Sequence, residues 1–360
     1  MLTGYLIDTD ETITRMDGEI IHFGGKRFQR DIVDGDCCFM CGVARDTVPF
    51  NDEHVLPDWL LRNFELHGES LTLPNAATMP YSRLRIPCCV SCNSRLGRTV
   101  EQPISALLTG TYEDIIGRIH QSGVALLFDW LTLLFLKTHL KDKSLRYHLD
   151  ARKGTETIAD LYDWGTMHHL HCVVRSLLTG TAIDLRVRGS VFVLKAKQLG
   201  DFTEFDFADL YKTKTIYIKL REVAIFAVLD DVGMVQELMA GGPLSKIMGP
   251  LSTVQLREVL ARIAYCRSVI VTNPVFCTDL STGTPRITLK WPVKLEVEPT
   301  EKQDPHRLGA MMEHFCSEFM GKYDGPDKSA IMESLREGKR TFVFGPDGKF
   351  DANSMEPPMA

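Results

Sequence analysis

The chain has 360 residues, more than one small core usually takes, so two domains are the default expectation. A hydrophobic fraction of 44% fits a soluble globular protein, and a net charge of −6 argues against a generally sticky nucleic-acid binder. Six of the ten cysteines lie in two tight groups with no signal-peptide pattern before them. That excludes an extracellular disulfide set and points to metal-bound thiolates in a reducing cytoplasm.

Taken in order, Asp17-Gly18 between short apolar stretches reads as a hairpin turn into Ile20, Ile21 and Phe23. Cys38 to Gly42 reads as a metal knuckle, with Gly42 letting the backbone curl toward the sulfurs. A strand is expected over Thr47 to Phe50, leading into Glu53-His54, and Pro57 stops it. A short helical segment follows from Asp58, then a loop over residues 63–80. Tyr81 to Ile86 reads as a second strand, and a helix starts near Asn93. Helices are expected over Pro103 to Leu108, Tyr112 to Ile119, Val124 to Leu140 and Thr155 to Leu178, with Gly180 just past the last. The apolar run from Val124 to Leu136, broken by Asp129 and Thr132, is too short to span a bilayer, so no membrane contact is expected.

Strands then dominate, at Ala182 to Ala196 and Thr215 to Leu229. Met234 to Met239 and Val254 to Arg267 read as helices, and Val269 to Thr272 and Ile287 to Val297 as strands. His306 to Lys322 and Lys328 to Glu337 read as helices. Pro346-Asp347-Gly348 marks a hairpin within Phe342 to Phe350. The expected class is α+β: a small ββα core, stapled by zinc, over residues 1–110, followed by a larger mixed domain over 111–345. That domain is helical over 111–180 and mixed over 181–345, and a flexible tail covers 346–360.

The strongest chemical signal is the pair Cys38-x-x-Cys41 and Cys89-x-x-Cys92. Two such pairs supply four thiolates, a full tetrahedral shell for structural Zn2+. Cys37 and Cys88 would shift the register, but only 38/41 and 89/92 keep the two-residue gap at both knuckles. Between the knuckles, Glu53-His54-Val55-Leu56-Pro57 is left unused by the zinc. Histidine titrates near neutrality and can take a proton from water. From Ser70 to Val100 there is no acidic residue, while Arg83, Arg85, Arg95 and Arg98 form a positive stretch that suits a phosphodiester.

Cys-x-x-Cys, Glu-His-x-x-Pro and Cys-x-x-Cys-Asn, spread over roughly residues 36–102, resemble the HNH endonucleases in their zinc-stapled ββα form. The resemblance implies hydrolysis of nucleic acid, with DNA the expected partner. It implies His54 as general base, and Glu53 and Asn93 as ligands of a catalytic Mg2+ (or Mn2+). Glu53 stands where Asp is more usual, and Asn93 where many members have His. Asn75 is the nearest candidate for the family's middle asparagine. Arg85, Arg95 and Arg98 are candidates for holding substrate phosphates. By analogy, a stand-alone protein of this kind suits bacterial or phage genome conflict, as in antiviral defence.

Two readings compete. In one, the core is a zinc-binding nucleic-acid recognition module without cleavage, and the C-terminal domain carries the function. In the other, an active site lies after residue 110. The C-terminal domain is also the expected place for a protein partner or self-association. His168, His169, His171 and Cys172 read as helix-surface or interface residues, Asp129 as an edge facing water or another subunit, and Trp59 as core.

Overall fold

The Asp17-Gly18 turn builds the first element pair. Asp17 Oδ1 accepts from the Glu19 amide, and the Arg15 amide reaches the Glu19 carbonyl at 2.8 Å. In this computed structural model, residues 4–198, 204–290, 296–299, 304–321, 323 and 325–352 are described. The expected tail over 353–360 and the expected strand over 291–295 lie outside them. The chain is α+β, and it divides into two units. Unit 1 comprises Met1–Thr109, Arg118–Val187 and Phe276–Leu289, and unit 2 comprises Gly110–Gly117, Arg188–Val275 and Lys290–Ala360. One crossing thus falls beside residue 110, and residues 118–187 then return to the cysteine-bearing unit.

In unit 1, β1 (Tyr5–Ile7), β2 (Ile13–Arg15) and β3 (Ile20–His22) form an antiparallel sheet in that order. A helical stretch begins with α1 (Gly25–Arg27) and continues in a wide turn over Phe28–Val33. The first knuckle closes on itself, with the Cys38 amide on Val43 O and the Gly42 amide on Cys38 O. Gly42 has φ +70°, and a Cβ there would sit 2.8 Å from the Phe23 ring, so no other residue fits without displacement.

Next, β4 (Glu53–His54) leads past Pro57 into α2 (Asp58–Asn63). The expected loop over 63–80 contains a hairpin, β5 (Ser70–Thr72) with β6 (Thr78–Pro80). The expected second strand is shorter than Tyr81 to Ile86. Tyr81–Arg83 forms a 3-10 turn, and only β7 (Arg85–Ile86) pairs with β4, Glu53 opposite Ile86 and His54 opposite Arg85. Thr47 to Phe50 is not a strand either; Phe50 alone bridges to Cys89. After β7 come α3 (Val90–Leu96), a wide turn over Gly97–Glu101 and α4 (Gln102–Leu107). β4 and β7 thus pair as a short two-stranded ladder, and α3 follows β7 in the chain.

Helix α5 (Tyr112–Ser122) runs through the division of the chain. It is followed by α6 (Ala125–Asp142), buried without interruption from Leu127 to Lys137. A helix that is apolar all round belongs inside a core, and among the described residues no single helix is long and apolar enough to cross a membrane. Asp129 is buried rather than at a wet edge. The expected helix over Thr155 to Leu178 is real only as α7 (His168–Thr179). Upstream, a Thr157–Asp160 capping box and the Asp163 side chain on the Gly165 amide stabilise separate 3-10 turns. Gly180 ends α7 in the left-handed region, as its position suggested. Beyond it, β8 (Ala182–Ile183) pairs in parallel with Arg286–Leu289, which pairs antiparallel with Phe276–Asp279.

In unit 2, β9 (Val191–Lys195), β10 (Phe205–Leu210), β11 (Thr215–Leu220) and β12 (Val223–Val228) form an antiparallel sheet in the order β10-β11-β12-β9. One face presents Tyr217, Ala224, Phe226 and Val228 to a core shared with α8 (Met234–Ala240), α9 (Thr253–Ser268), α10 (Pro305–Gly321) and α11 (Lys328–Arg336). A Ser252–Gln255 capping box starts α9. Asp231 starts α8 by accepting from the Val235 amide, and it also accepts from Ser190. Gly189 lies so close to Val228 O that a Cβ would approach it to 2.0 Å. Val269 to Thr272 is not a strand; Ile270 alone bridges to Val297. The C-terminal hairpin is present as a Phe344–Phe350 bridge.

Candidate functional site

The sulfurs of Cys38, Cys41, Cys89 and Cys92 lie within 4.8 Å of one another. A Zn–S bond of about 2.3 Å implies tetrahedral sulfur–sulfur edges of about 3.8 Å. The Cys41–Cys89 sulfur separation is 3.8 Å. The thiols crowd one another so closely that the contacts of Cys41, Cys88 and Cys92 pull the Cys38 thiol far down, while Cys92 is pushed up in return. A single cation replacing those protons relieves the conflict, so the donor set fits structural zinc. Cys88 is buried beside Cys38, and neither Cys37 nor Cys88 belongs to the four-sulfur group.

Helix α7 supports this knuckle from behind. His171 is 0% exposed, and its Nε2 lies 2.9 Å from Phe39 O, between the first two ligands in sequence. Burial lowers its pKa to about 3, so the ring is neutral and Nε2–H donates to that carbonyl. The ring packs against Phe23 and Phe28. His168 Nε2 reaches Phe23 O at 2.7 Å, and His169 stacks on Phe276. The expectation of helix-surface or interface residues is corrected for His171 and Cys172, which are buried inside the unit; His168 and His169 are half-buried and hold α7 to its neighbours. Arg175, also buried, binds Ile20 O and lies within the field of Cys92 and Cys41.

Beside the thiols, β4 turns its two polar side chains to opposite faces, as any strand does. Glu53 points inward and is 6% exposed. Its Oε1 accepts from Lys137 Nζ at 2.8 Å, and the same ammonium donates to His54 O at 2.7 Å. Glu101 reaches the same carboxylate. Burial pushes the Glu101 carboxyl up to about 7, opposed by Lys137 and reinforced by Glu53. Neither Lys137 nor Glu101 is signalled by local spacing. The one available hint is a lysine inside an otherwise apolar helix, which needs a buried carboxylate as partner.

His54 is half-buried as a residue, but its Nε2 is enclosed away from solvent and has no hydrogen-bond partner. Burial lowers its pKa, and Arg85 across the strand pair adds to the effect against Asp58 and Glu53. The imidazole is thus neutral at pH 7, the state of a base. Asn93 sits on the first turn of α3, its amide on Cys89 O and its side-chain nitrogen 3.0 Å from Asn51 Oδ1.

No family model, curated protein or solved structure matches this chain. The site therefore rests on its own geometry.

The remaining candidates are placed as follows. Asn75 donates to Arg146 O at 2.7 Å and accepts from the Ala77 amide, so both ends of its side chain hold the β5–β6 turn. Arg95 is committed to Leu178 O and Glu19. Arg98 is exposed, and so is Arg85, which donates through Nε to Ser82 O. Trp59 lies against Trp130, their rings 6.4 Å apart, in keeping with a core role. Among the described residues, the four cysteines are the only group of three or more His, Cys, Asp or Glu close enough to share an ion.

Proposed function

We propose that the chain is a metal-dependent endonuclease of the HNH type, hydrolysing phosphodiester bonds in DNA. One observation carries the reading. The strand that bears Glu53 and His54 pairs with one that runs directly into the second cysteine pair, whose sulfurs lie within 4.8 Å of those of the first. Cys38, Cys41, Cys89 and Cys92 would hold zinc, which fixes the angle between β7, α3 and the first knuckle. A unit of this size has too little core to hold itself otherwise. Glu53 and Asn93 would hold Mg2+ through their side-chain oxygens, the hard donors such an ion takes. Bound there, the ion would supply charge stabilisation to the scissile phosphate.

The protein's own groups do the rest. His54 takes the proton of the attacking water, which requires substrate binding to open the enclosed Nε2. Asn93 gives its side-chain nitrogen to Asn51, which would leave its carbonyl oxygen to serve as the ligand. Exposed Arg85 and Arg98 hold flanking phosphates, while Arg95 braces α3.

A second reading draws on one specific observation. Glu53 is already satisfied by Lys137 and Glu101, with no metal needed. That favours a recognition module that binds nucleic acid without cutting it. The two are separated by incubating plasmid DNA and single-stranded RNA with the protein in Mg2+, Mn2+ or excess chelator. Cleavage of DNA that stops in chelator supports the nuclease. Retained binding with no cleavage in any divalent metal supports the module.

A further inference from the structure

We infer that Lys137 is a positioning residue for the Glu53-His54 pair; this deepens the nuclease reading and rests on it. The ammonium grips both halves of the dipeptide at once, the carboxylate of Glu53 at 2.8 Å and the carbonyl of His54 at 2.7 Å. The second contact serves another of the buried ammonium's three donors and ties it to the backbone of His54. The second contact fixes the peptide plane that carries the imidazole. The adjoining bond, from the Val55 amide to Leu84 O, holds the other side of that plane to the residue before β7. The orientation of His54 is therefore set by two hydrogen bonds on one peptide group.

The anchor is rigid. Lys137 has a side chain 0% exposed, and it sits at the end of the fully buried stretch of α6. Its stem can change rotamer only by displacing core side chains. By bonding Oε1, it also fixes the side of the Glu53 carboxylate from which a metal would have to approach. Glu101, meeting the same carboxylate, limits its rotation further. Lys137 touches neither substrate nor metal in this scheme. It acts through the two residues that do, as the outer partners of metal ligands do.

The test is steady-state cleavage of a DNA duplex in Mg2+ by the wild type, Lys137→Met and Lys137→Gln, with zinc content measured on each preparation. Lys137→Met removes both bonds, while Lys137→Gln keeps an N–H donor that can reach one partner. The expected result is a fall in kcat of about 10–100-fold for Lys137→Met, with a smaller fall for Lys137→Gln. KM should stay within about twofold and zinc at the wild-type level, since neither the phosphate contacts nor the thiols are touched. An unchanged kcat in Lys137→Met overturns the inference and leaves the nuclease reading standing. Loss of zinc, or a rise in KM matching the loss in kcat, shows a merely structural lysine and also overturns it. A wild type that cuts nothing is a different result, because it removes the nuclease reading and this inference together.

Discussion

The side-chain nitrogen of Asn93 donates to Asn51 Oδ1 across 3.0 Å, tying the first turn of α3 to the segment just before β4. This bond decides which end of the Asn93 amide faces the site. Without it, the amide can turn and present its nitrogen, which no cation accepts as a ligand. Asn51→Ala should therefore raise the Mg2+ concentration needed for half-maximal cleavage by about tenfold, with zinc content unchanged. A Mg2+ titration superimposable on that of the wild type would remove Asn93 from the ligand set.

Zinc binding should contribute directly to the stability of unit 1, because no preformed thiolate shell exists in the unfolded chain. Cys89→Ser is expected to lose bound zinc and the hydrogen-exchange protection of the β4–β7 pair. Cys88→Ser should keep both, because Cys88 lies outside the four-sulfur group. Metal analysis and exchange on the two proteins check this. Equal zinc loss in both would mean that the ligand register is wrong.

The pH dependence of unit 1 is a balance: Glu101, raised to about 7, and His168, raised to about 9, gain stability on acidification, while two buried imidazoles lose it. Burial holds His22 and His171 at about 3, against an ordinary value of 6.5. Between those values each of these imidazoles is protonated in the unfolded chain and not in the folded one, so its contribution to stability falls as pH drops through the window. Each imidazole should cost about 1.4 kcal/mol between pH 7.5 and 5.5. Urea unfolding of zinc-saturated protein across that range measures the slope, and His22→Leu should reduce it. A pH slope in His22→Leu identical to that of the wild type would contradict the buried, neutral assignment.

Unit 2 depends on a different buried acid. Glu258 accepts from Arg262, from the Thr341 hydroxyl and from the amides of Phe342 and Val343. Glu258→Ala leaves those donors unmatched and should destabilise the unit by about 3 kcal/mol. Urea unfolding followed by exchange at β11 amides reads this out. A loss under about 1 kcal/mol would show that water replaces the carboxylate easily.

The parts legible in the sequence were those written in short spacing. Two-residue gaps between cysteines encode a metal knuckle, and Asp17-Gly18 encodes a tight turn; both stand in the structure. What escaped was set by distant partners. Nothing near Lys137 announces a carboxylate 84 positions earlier. The spacing of His168, His171 and Cys172 shows that they share a helix face. It does not show that this face is covered by Phe23, Phe28 and Phe39. Strand β10 was missed because Asp206 and Asp209 break its apolar alternation, although Asp206 is paired with Arg257. The long helix expected from Thr155 was overridden by side-chain caps at Asp160 and Asp163, which favour short turns over propagation.

The most direct measurement compares supercoiled plasmid cleavage by wild type and His54→Ala, each zinc-loaded and supplied with Mg2+. Because His54 Nε2 bonds nothing in the fold, the variant should bind DNA and unfold as the wild type does, with cleavage reduced at least 100-fold on removal of the general base. Equal cleavage by the two proteins, or none by the wild type, would contradict the account.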